Sequence, residues 1–124
     1  MKRDKVDSIF SRYIKLLCDG YCTRCKKRVG VNSRGLHCAH FISRGVKRLR
    51  YTRDNATALC YGCHRYIDHP NHQAEKEEFF LNLIGQQRWE ELHWIKDHPD
   101  GDKLDKEAIY KDLKEKVKLL EHGD

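Results

Sequence analysis

Two Cys-x-x-Cys pairs constrain the fold of this chain more than any other feature of its 124 residues. Cys22 and Cys25 form the first pair, and Cys60 and Cys63 form the second. Two such pairs, joined by a segment that can fold back on itself, supply the four thiolates of one tetrahedral zinc site. A site closed by four thiolates has no open coordination position, so we expect this zinc to be structural.

A redox role is the alternative interpretation of the cysteine pairs. Two pairs in a chain without a thioredoxin-like βαβ pattern favour the zinc site instead. With 39% hydrophobic residues, the chain can bury only a modest core, which a structural metal would supplement. We expect the two remaining cysteines, Cys18 and Cys38, to be buried in that core.

The composition also bears on the compartment. The chain has no apolar run long enough for a transmembrane helix, and its charged first residues do not resemble a signal peptide. We therefore expect a cytoplasmic protein that does not enter a membrane and whose thiols stay reduced.

The net charge of +6 is unevenly distributed along the chain. Residues 1–65 carry 16 Lys and Arg against 4 Asp and Glu, whereas residues 66–124 carry 9 against 15. Basic charge around the cysteine pairs is typical of a surface that binds a phosphate backbone, although a solvated basic face is the alternative. The predicted DNA contacts are Lys26, Lys27, Arg28, Arg44, Lys47, Arg48, Arg50, Arg53 and Arg65.

The hydrophobic pattern predicts an α+β protein. A helix is expected over Asp7–Asp19, with Gly20 as its C-cap, followed by a strand over Leu36–Ile42 and a second, largely cationic strand over Val46–Thr52. A loop then leads to a helix that opens at Cys63–Ile67. Three further helices are predicted over Gln73–Ile84, Arg88–Ile95 and Asp105–Leu120, with a turn at residues 98–102.

This order divides the chain into a core over residues 1–70 and a helical extension over residues 71–124. The last predicted helix places Ile109, Leu113, Val117 and Leu120 on one face. That apolar face predicts either packing on the chain's own core or a dimer interface.

Two histidines have side chains whose chemistry suits hydrolysis of a phosphodiester. His40 lies in a short apolar stretch, and His64 directly follows the last predicted zinc ligand. Hydrolysis needs a base to activate water, a role that suits a neutral imidazole, and a divalent cation can stabilise charge on the phosphate. The alternative is that both histidines are ordinary polar surface residues.

These residues also carry a resemblance to a known family. Residues 54–64, DNATALCYGCH, resemble the second half of the HNH nuclease motif, and residues 39–41, AHF, with the upstream cysteine pair resemble its first half. Together with FSRYIKLLCDGYCTRC, AHFISRG, LRYTRDNATALCYGC and LIGQQRWEEL, they are similar to the NinG (Rap) family of phage recombination endonucleases. The resemblance covers most of the chain.

The resemblance implies a small ββα-metal (His-Me finger) core closed by the four-cysteine zinc, with an N-terminal helix and a C-terminal helical extension. It implies that His40 is the general base and that Asn55 holds the loop between the strands and orients this base. It implies that His64 binds a catalytic Mg²⁺ or Mn²⁺ ion.

One position departs from the family pattern. Many HNH enzymes place Asp or His directly before the general base as a ligand of the catalytic metal, whereas this chain has Ala39 there. Either His64, phosphate oxygens and waters hold the metal, or another residue replaces the missing ligand, for which His37 is the candidate. The departure favours a rival interpretation, a zinc-ribbon DNA-binding module without catalysis.

The resemblance implies that the function is cleavage of branched DNA, such as a Holliday junction or D-loop, in the cytoplasm of a phage-infected bacterium. A restriction, nicking or packaging nuclease of the HNH type is the rival within the enzymes. Paired cuts need two active sites, so the expected form is a homodimer, and a phage recombination protein is a further possible partner.

Overall fold

A computed structural model describes residues 3–98 and 104–122. The helices in this part of the chain are α1 (Lys5–Leu17), α2 (Tyr61–Ile67), α3 (Gln73–Ile84), α4 (Gln86–Asp97) and α5 (Lys106–His122). The strands are β1 (Leu36–His40) and β2 (Ala56–Cys60), which pair antiparallel. The α+β class predicted from the sequence is confirmed. None of the described helices is long and apolar enough to cross a membrane.

The helix α1 begins earlier than predicted because Asp4 caps it. The Asp4 carboxylate accepts a hydrogen bond from the backbone N–H of Asp7 (2.8 Å), and the Asp7 carboxylate accepts one from the backbone N–H of Asp4 (2.9 Å). This reciprocal capping box satisfies backbone donors that the helix leaves unpaired.

The helix ends at Leu17, and Gly20 follows it with φ of 78°. A Cβ at Gly20 would lie 3.1 Å from the backbone of Gly30, so this close approach requires glycine.

The predicted second strand is wrong. The segment Val46–Thr52 folds into a short 3₁₀ turn at Lys47–Leu49, and the strand that pairs with β1 is Ala56–Cys60, which we expected to be a loop. The backbone N–H of Leu49 bonds to the carbonyl of Val46, and its side chain is fully buried. A buried apolar anchor and local hydrogen bonds therefore override the strand-like alternation of this segment.

The hairpin lies between two hydrophobic clusters. Its one face, which includes Cys38 and Ala56, packs on α1 and α5. Its other face, which includes Ala39 and Leu59, packs on α2, α3 and α4. Cys18 and Cys38 are both half-buried, so the expected burial is only partial.

The helix α5 packs along α1. Leu113 and Val117 are buried in the cluster that α1 forms with the hairpin, so this part of the predicted face packs inside the chain, one of the two arrangements left open by the sequence. Leu120, which we expected on the same face, is exposed. The predicted helix α3 has its predicted bounds, whereas α2, α4 and α5 differ by one or two residues at their ends. The predicted turn at residues 98–102 lies almost entirely outside the described residues.

Candidate metal centre and active-site cleft

The two cysteine pairs form two backbone knuckles that the hairpin brings together. In the first knuckle, the backbone N–H of Cys25 points at the sulfur of Cys22 (3.5 Å). In the second, Cys60 ends β2, and its sulfur accepts from the backbone N–H of Cys63 (3.4 Å) at the start of α2. A hydrogen bond from the N–H of Thr23 to the carbonyl of Ala58 (3.0 Å) fixes the first knuckle to β2.

The four sulfur atoms are arranged to hold a metal. The sulfurs of Cys22, Cys25, Cys60 and Cys63 all lie within 4.8 Å of one another. A tetrahedral zinc site with metal–sulfur bonds of about 2.3 Å has sulfur–sulfur edges of about 3.8 Å. The sulfurs of Cys25 and Cys60 are 3.8 Å apart, which matches such an edge and is far longer than a disulfide bond. The cluster therefore fits a structural metal such as zinc, as the sequence predicts.

The surroundings of the cluster shift the pKa values of its two buried thiols in opposite directions. Burial raises the pKa of the Cys22 thiol, but the backbone N–H groups around its sulfur lower it by more, to about 6. Burial raises the pKa of the Cys63 thiol to about 12, and the guanidinium of Arg24, which donates to this sulfur (3.4 Å), opposes that rise. A bound zinc would deprotonate all four thiols.

A cleft of about 640 Å³ lies between α1, the end of the hairpin, α2 and α3. Its lining joins residues that are far apart in sequence and that differ strongly in charge. It brings together two predicted catalytic histidines with two carboxylates and several cations. The lining residues with ionisable side chains are Arg3, Asp7, Cys38, His40, Arg44, His64, Asp68 and Lys76.

His40, at the end of β1, is held in one tautomer. Its Nε2 lies 2.9 Å from the backbone carbonyl oxygen of Arg50. A carbonyl only accepts hydrogen bonds, so Nε2 carries the proton and Nδ1 keeps its lone pair. Burial lowers the pKa of His40 from its ordinary value, which keeps the ring neutral at pH 7. Its surroundings therefore suit His40 to accept a proton.

His64, on α2, is in contact with groups on both sides of its ring. Its Nε2 lies 2.9 Å from Oδ2 of Asp68, one turn later on the same helix, and its Nδ1 lies 2.9 Å from Nδ1 of His37. The Nζ of Lys76 lies 2.9 Å from the other oxygen of Asp68. The hydrogen bond from His64, helped by Lys76, lowers the pKa of Asp68 to about 2, so this carboxylate is ionised.

Asn55 is fully buried, and its side chain makes three hydrogen bonds. Its Oδ1 accepts from the N–H of Ile42 (2.8 Å), and its Nδ2 donates to the carbonyls of Ile42 (2.9 Å) and Leu49 (3.0 Å). The amide thus joins both ends of the segment that connects the two strands. His40 immediately precedes this segment.

The predicted DNA contacts occupy different positions. Six of them are exposed: Lys26, Lys27, Arg28, Lys47, Arg53 and Arg65. Arg44 lines the cleft, and Arg48 is half-buried and donates to the backbone carbonyl of His98 (3.4 Å). Arg50 differs from these because its guanidinium donates two hydrogen bonds to the buried carboxylate of Asp7, whereas Arg44 lies 3.7 Å from the same carboxylate.

Sequence reasoning missed Asp7 and Asp68. The spacing of Asp68, four residues after His64 on a predicted helix, was a usable signal because residues at i and i+4 share a helix face. Asp7 gave no comparable signal, because its partner Arg50 lies 43 residues away.

The fold and site define a small α+β protein with a four-cysteine cluster beside a cleft that contains two histidines. Comparisons of the chain with protein-family models, curated proteins and solved structures gave no match. The residues of the cluster and the cleft are therefore the basis for assigning a function.

Proposed function

We propose that this protein is a metal-dependent DNA endonuclease of the HNH, ββα-metal type that hydrolyses phosphodiester bonds. The observation that carries the proposal is the pairing of His40 and His64 in one cleft. His40 there has a free Nδ1 lone pair, and His64 lies beside an ionised carboxylate. A hairpin followed directly by a helix provides both histidines, which is the arrangement of a ββα core.

His40 is the general base in this proposal. Its neutral ring can take a proton from water at Nδ1, while Nε2 stays bonded to the carbonyl of Arg50. Asn55 keeps the connecting segment, and with it the carbonyl side of this bond, in place. Arg44 lines the same cleft and would hold a phosphate through its guanidinium.

His64 and Asp68 are the residues that would hold the catalytic cation. The distance of 2.9 Å from Nε2 to Oδ2 is close to the spacing of about 3.0 Å between neighbouring ligands of a six-coordinate ion with bonds of about 2.1 Å. A mixed nitrogen and oxygen pair suits Mn²⁺ better than Mg²⁺, which prefers oxygen. When bound, the ion stabilises negative charge on the phosphate and on the leaving oxygen. Asp68 would supply the metal ligand that Ala39 cannot.

The proposed substrate is branched recombination DNA in the cytoplasm of a phage-infected bacterial host, as the resemblance to the NinG (Rap) family implies. The basic residues around the hairpin would bind backbone phosphates without reading base sequence. A homodimer would supply two cuts, and because Leu113 and Val117 are buried within the chain, its interface on α5 would use the outer face, where Leu119 and Leu120 are exposed. A phage recombination protein is a further partner in this proposal.

A zinc-dependent DNA-binding module without catalysis is the second candidate. Ala39 favours it, because this residue is buried and offers no ligand at the position where many HNH enzymes bind the metal. The module would use the same basic surface, but its histidines would have only structural roles.

Cleavage assays separate the two candidates. The purified chain is incubated with a four-way junction, a flap and a linear duplex, each with Mg²⁺, with Mn²⁺ or with EDTA. We expect metal-dependent cutting of the branched DNAs, loss of cutting in His40→Ala, and unchanged binding by that variant. His122→Ala, which changes an exposed histidine at the end of α5, is the matched control. Binding without cutting under all conditions would establish the module instead.

A further inference from the structure

The carboxylate of Asp7 is buried in the wall of the cleft although it belongs to the first turn of α1. Only 6% of this residue is exposed. Burial raises the pKa of Asp7, but hydrogen bonds from Arg50 and from the backbone N–H of Asp4 lower it by more, so the carboxyl is ionised. The capping box explains why a carboxylate occurs at this position, but it does not require the carboxylate to be buried.

Arg50 is the partner that accounts for the burial. The Nε of Arg50 donates to Oδ1 of Asp7 (2.9 Å), and its Nη2 donates to Oδ2 of the same carboxylate. Two parallel bonds from a planar guanidinium fix the direction of the arginine as well as its position. Arg44 adds a more distant cation, 3.7 Å from Oδ2.

The backbone carbonyl of Arg50 is also the acceptor for Nε2 of His40 (2.9 Å). One residue thus connects the buried carboxylate of α1, through its side chain, with the histidine of β1, through its backbone. No strand ladder holds Arg50, which follows a short 3₁₀ turn and has a long backbone hydrogen bond to Lys47 (3.3 Å). The side-chain pair with Asp7 therefore adds to the contacts that fix the direction of this carbonyl, beside the buried side chain of Leu49 and the hydrogen bond from Asn55 to the Leu49 carbonyl.

We propose that Asp7 is a positioning residue for His40: by holding the guanidinium of Arg50, it keeps the carbonyl of Arg50 aimed at Nε2 and thereby leaves Nδ1 as the free base. The structural part of this inference stands without the proposed function, and only its consequence for cleavage rests on that function. A role for Asp7 in capping α1 alone would leave the tautomer of His40 unaffected by its replacement.

The ring nitrogens of His40 give the direct test. In the ¹⁵N-labelled protein at pH 7, the nitrogen chemical shifts distinguish a protonated Nε2 from a protonated Nδ1. We expect His40 to be protonated at Nε2 in the wild type and to populate both tautomers in Asp7→Asn and in Arg50→Lys. Arg50→Lys keeps the positive charge and the capping box but loses the two parallel bonds.

A matched control makes the same chemical change at another helix start. Asp105 accepts a hydrogen bond from the backbone N–H of Ala108 (3.1 Å) at the beginning of α5, and Asp105→Asn leaves Arg50 untouched. We expect His40 of this control to remain protonated at Nε2. If Arg50→Lys, which keeps the cap of α1, also leaves His40 wholly protonated at Nε2, the inference is overturned, even if Asp7→Asn does not fold.

Kinetics extend the test to the proposed function. Misplacement of the base should lower kcat about tenfold and leave KM for DNA nearly unchanged, because Asp7 is buried against Arg50 and makes no contact that would bind DNA in this proposal. The double variant Asp7→Asn/Arg50→Lys should be no slower than the slower single variant, since both changes break the same connection. Additive losses would overturn the inference. If the wild type cuts no DNA, the proposed function fails, but the nitrogen shifts still decide the role of Asp7.

Discussion

The cysteine cluster and the cleft are both built on the same hairpin, yet they are assembled in different ways. Cys60 ends β2 at one end of the hairpin, whereas His40 ends β1 at the other. Each half of the cluster is a local knuckle of four residues. The fold has only to bring these two knuckles together for the four sulfurs to meet. The cleft instead collects single residues from four elements, and hydrogen bonds between them set their positions.

The difference indicates a division of roles. The cluster joins the segment after α1 to the start of α2 and would contribute mainly to stability. The cleft includes Asp7, a buried ionised carboxylate, and His40, a ring whose pKa is lowered, both of which stability alone does not require. The following experiments test this division, beginning with the largest expected effect.

Loss of one cysteine ligand should have the largest effect. In Cys63→Ser, loss of metal binding should remove about 10–16 kcal/mol, which is comparable to the total free energy of unfolding of about 5–15 kcal/mol typical of a domain, so the chain should be largely unfolded at 25 °C. Circular dichroism and zinc content by mass spectrometry measure both effects.

The matched control is Cys18→Ser, which changes a half-buried cysteine outside the cluster. Its sulfur lies 3.9 Å from the hydroxyl of Thr57, where a serine hydroxyl would also fit. We expect this variant to fold and to retain its zinc. A Cys63→Ser protein that melts like the wild type would show that the cluster is not the main support of the fold.

Asn55→Ala should have the next largest effect on stability. The change leaves the N–H of Ile42 and the carbonyls of Ile42 and Leu49 without their partner, at a cost of about 3–4 kcal/mol for the set. Urea unfolding measures the loss, and Asn32→Ala, at an exposed asparagine, is the control. Zinc content should stay unchanged. If Asn55→Ala loses less free energy of unfolding than the control Asn32→Ala, another group must hold the connecting segment.

The contrast between cluster and cleft also explains what the sequence could predict. A Cys-x-x-Cys knuckle depends on the conformation of four neighbouring residues, so spacing alone predicted the cluster, and the helical periodicity predicted α1, α3, α4 and α5 within a few residues. The second strand was misplaced because Val46–Thr52 alternates like a strand, and only the buried Leu49 and the local hydrogen bonds decide against it.

The sequence could not predict the hydrogen bonds and ion pairs of the cleft, for a different reason. The pair formed by Asp7 and Arg50 joins α1 to a turn 43 residues later, and nothing local to either residue predicts the other. His40, Asn55 and His64 were selected by resemblance, and their selection as catalytic residues remains a prediction. The structure adds the neighbours that constrain them, among them Asp68 and the carbonyl of Arg50.

Acid should reveal the buried carboxylate of Asp7 through its effect on stability. Because the folded-state pKa of Asp7 is lowered, its contribution is fully present above the unfolded-state value near 3.8 and is lost as the pH falls below it. At pH 7 we therefore expect Asp7→Asn to be less stable than the wild type by about 2 kcal/mol. This difference should shrink as the pH falls from about 5 towards 3.

Both proteins share the cysteine cluster, so a loss of bound metal in acid would affect them alike, and thermal melting across this range measures the difference between them. Asp112→Asn, which removes the exposed partner of Lys116, should show almost no difference at any pH. A constant difference between Asp7→Asn and the wild type would show that Asp7 contributes through packing and not through its charge.

The smallest expected change in stability comes from Asp68→Asn, and this variant separates the two sites most sharply. Asp68 is exposed, and surface ion pairs such as those it makes with His64 and Lys76 contribute at most about 1 kcal/mol. The zinc content should also stay at the wild-type value, because Asp68 takes no part in the cluster.

If Asp68 and His64 share a divalent cation, however, Mn²⁺ should bind about tenfold or more weakly to the variant, as seen by electron paramagnetic resonance. Asp112→Asn again serves as the control, and equal Mn²⁺ affinity in all three proteins would remove Asp68 from the proposed metal site. Weaker Mn²⁺ binding with unchanged zinc and unchanged stability would instead show that one hairpin supports a metal site for folding at one end and another for chemistry beside it.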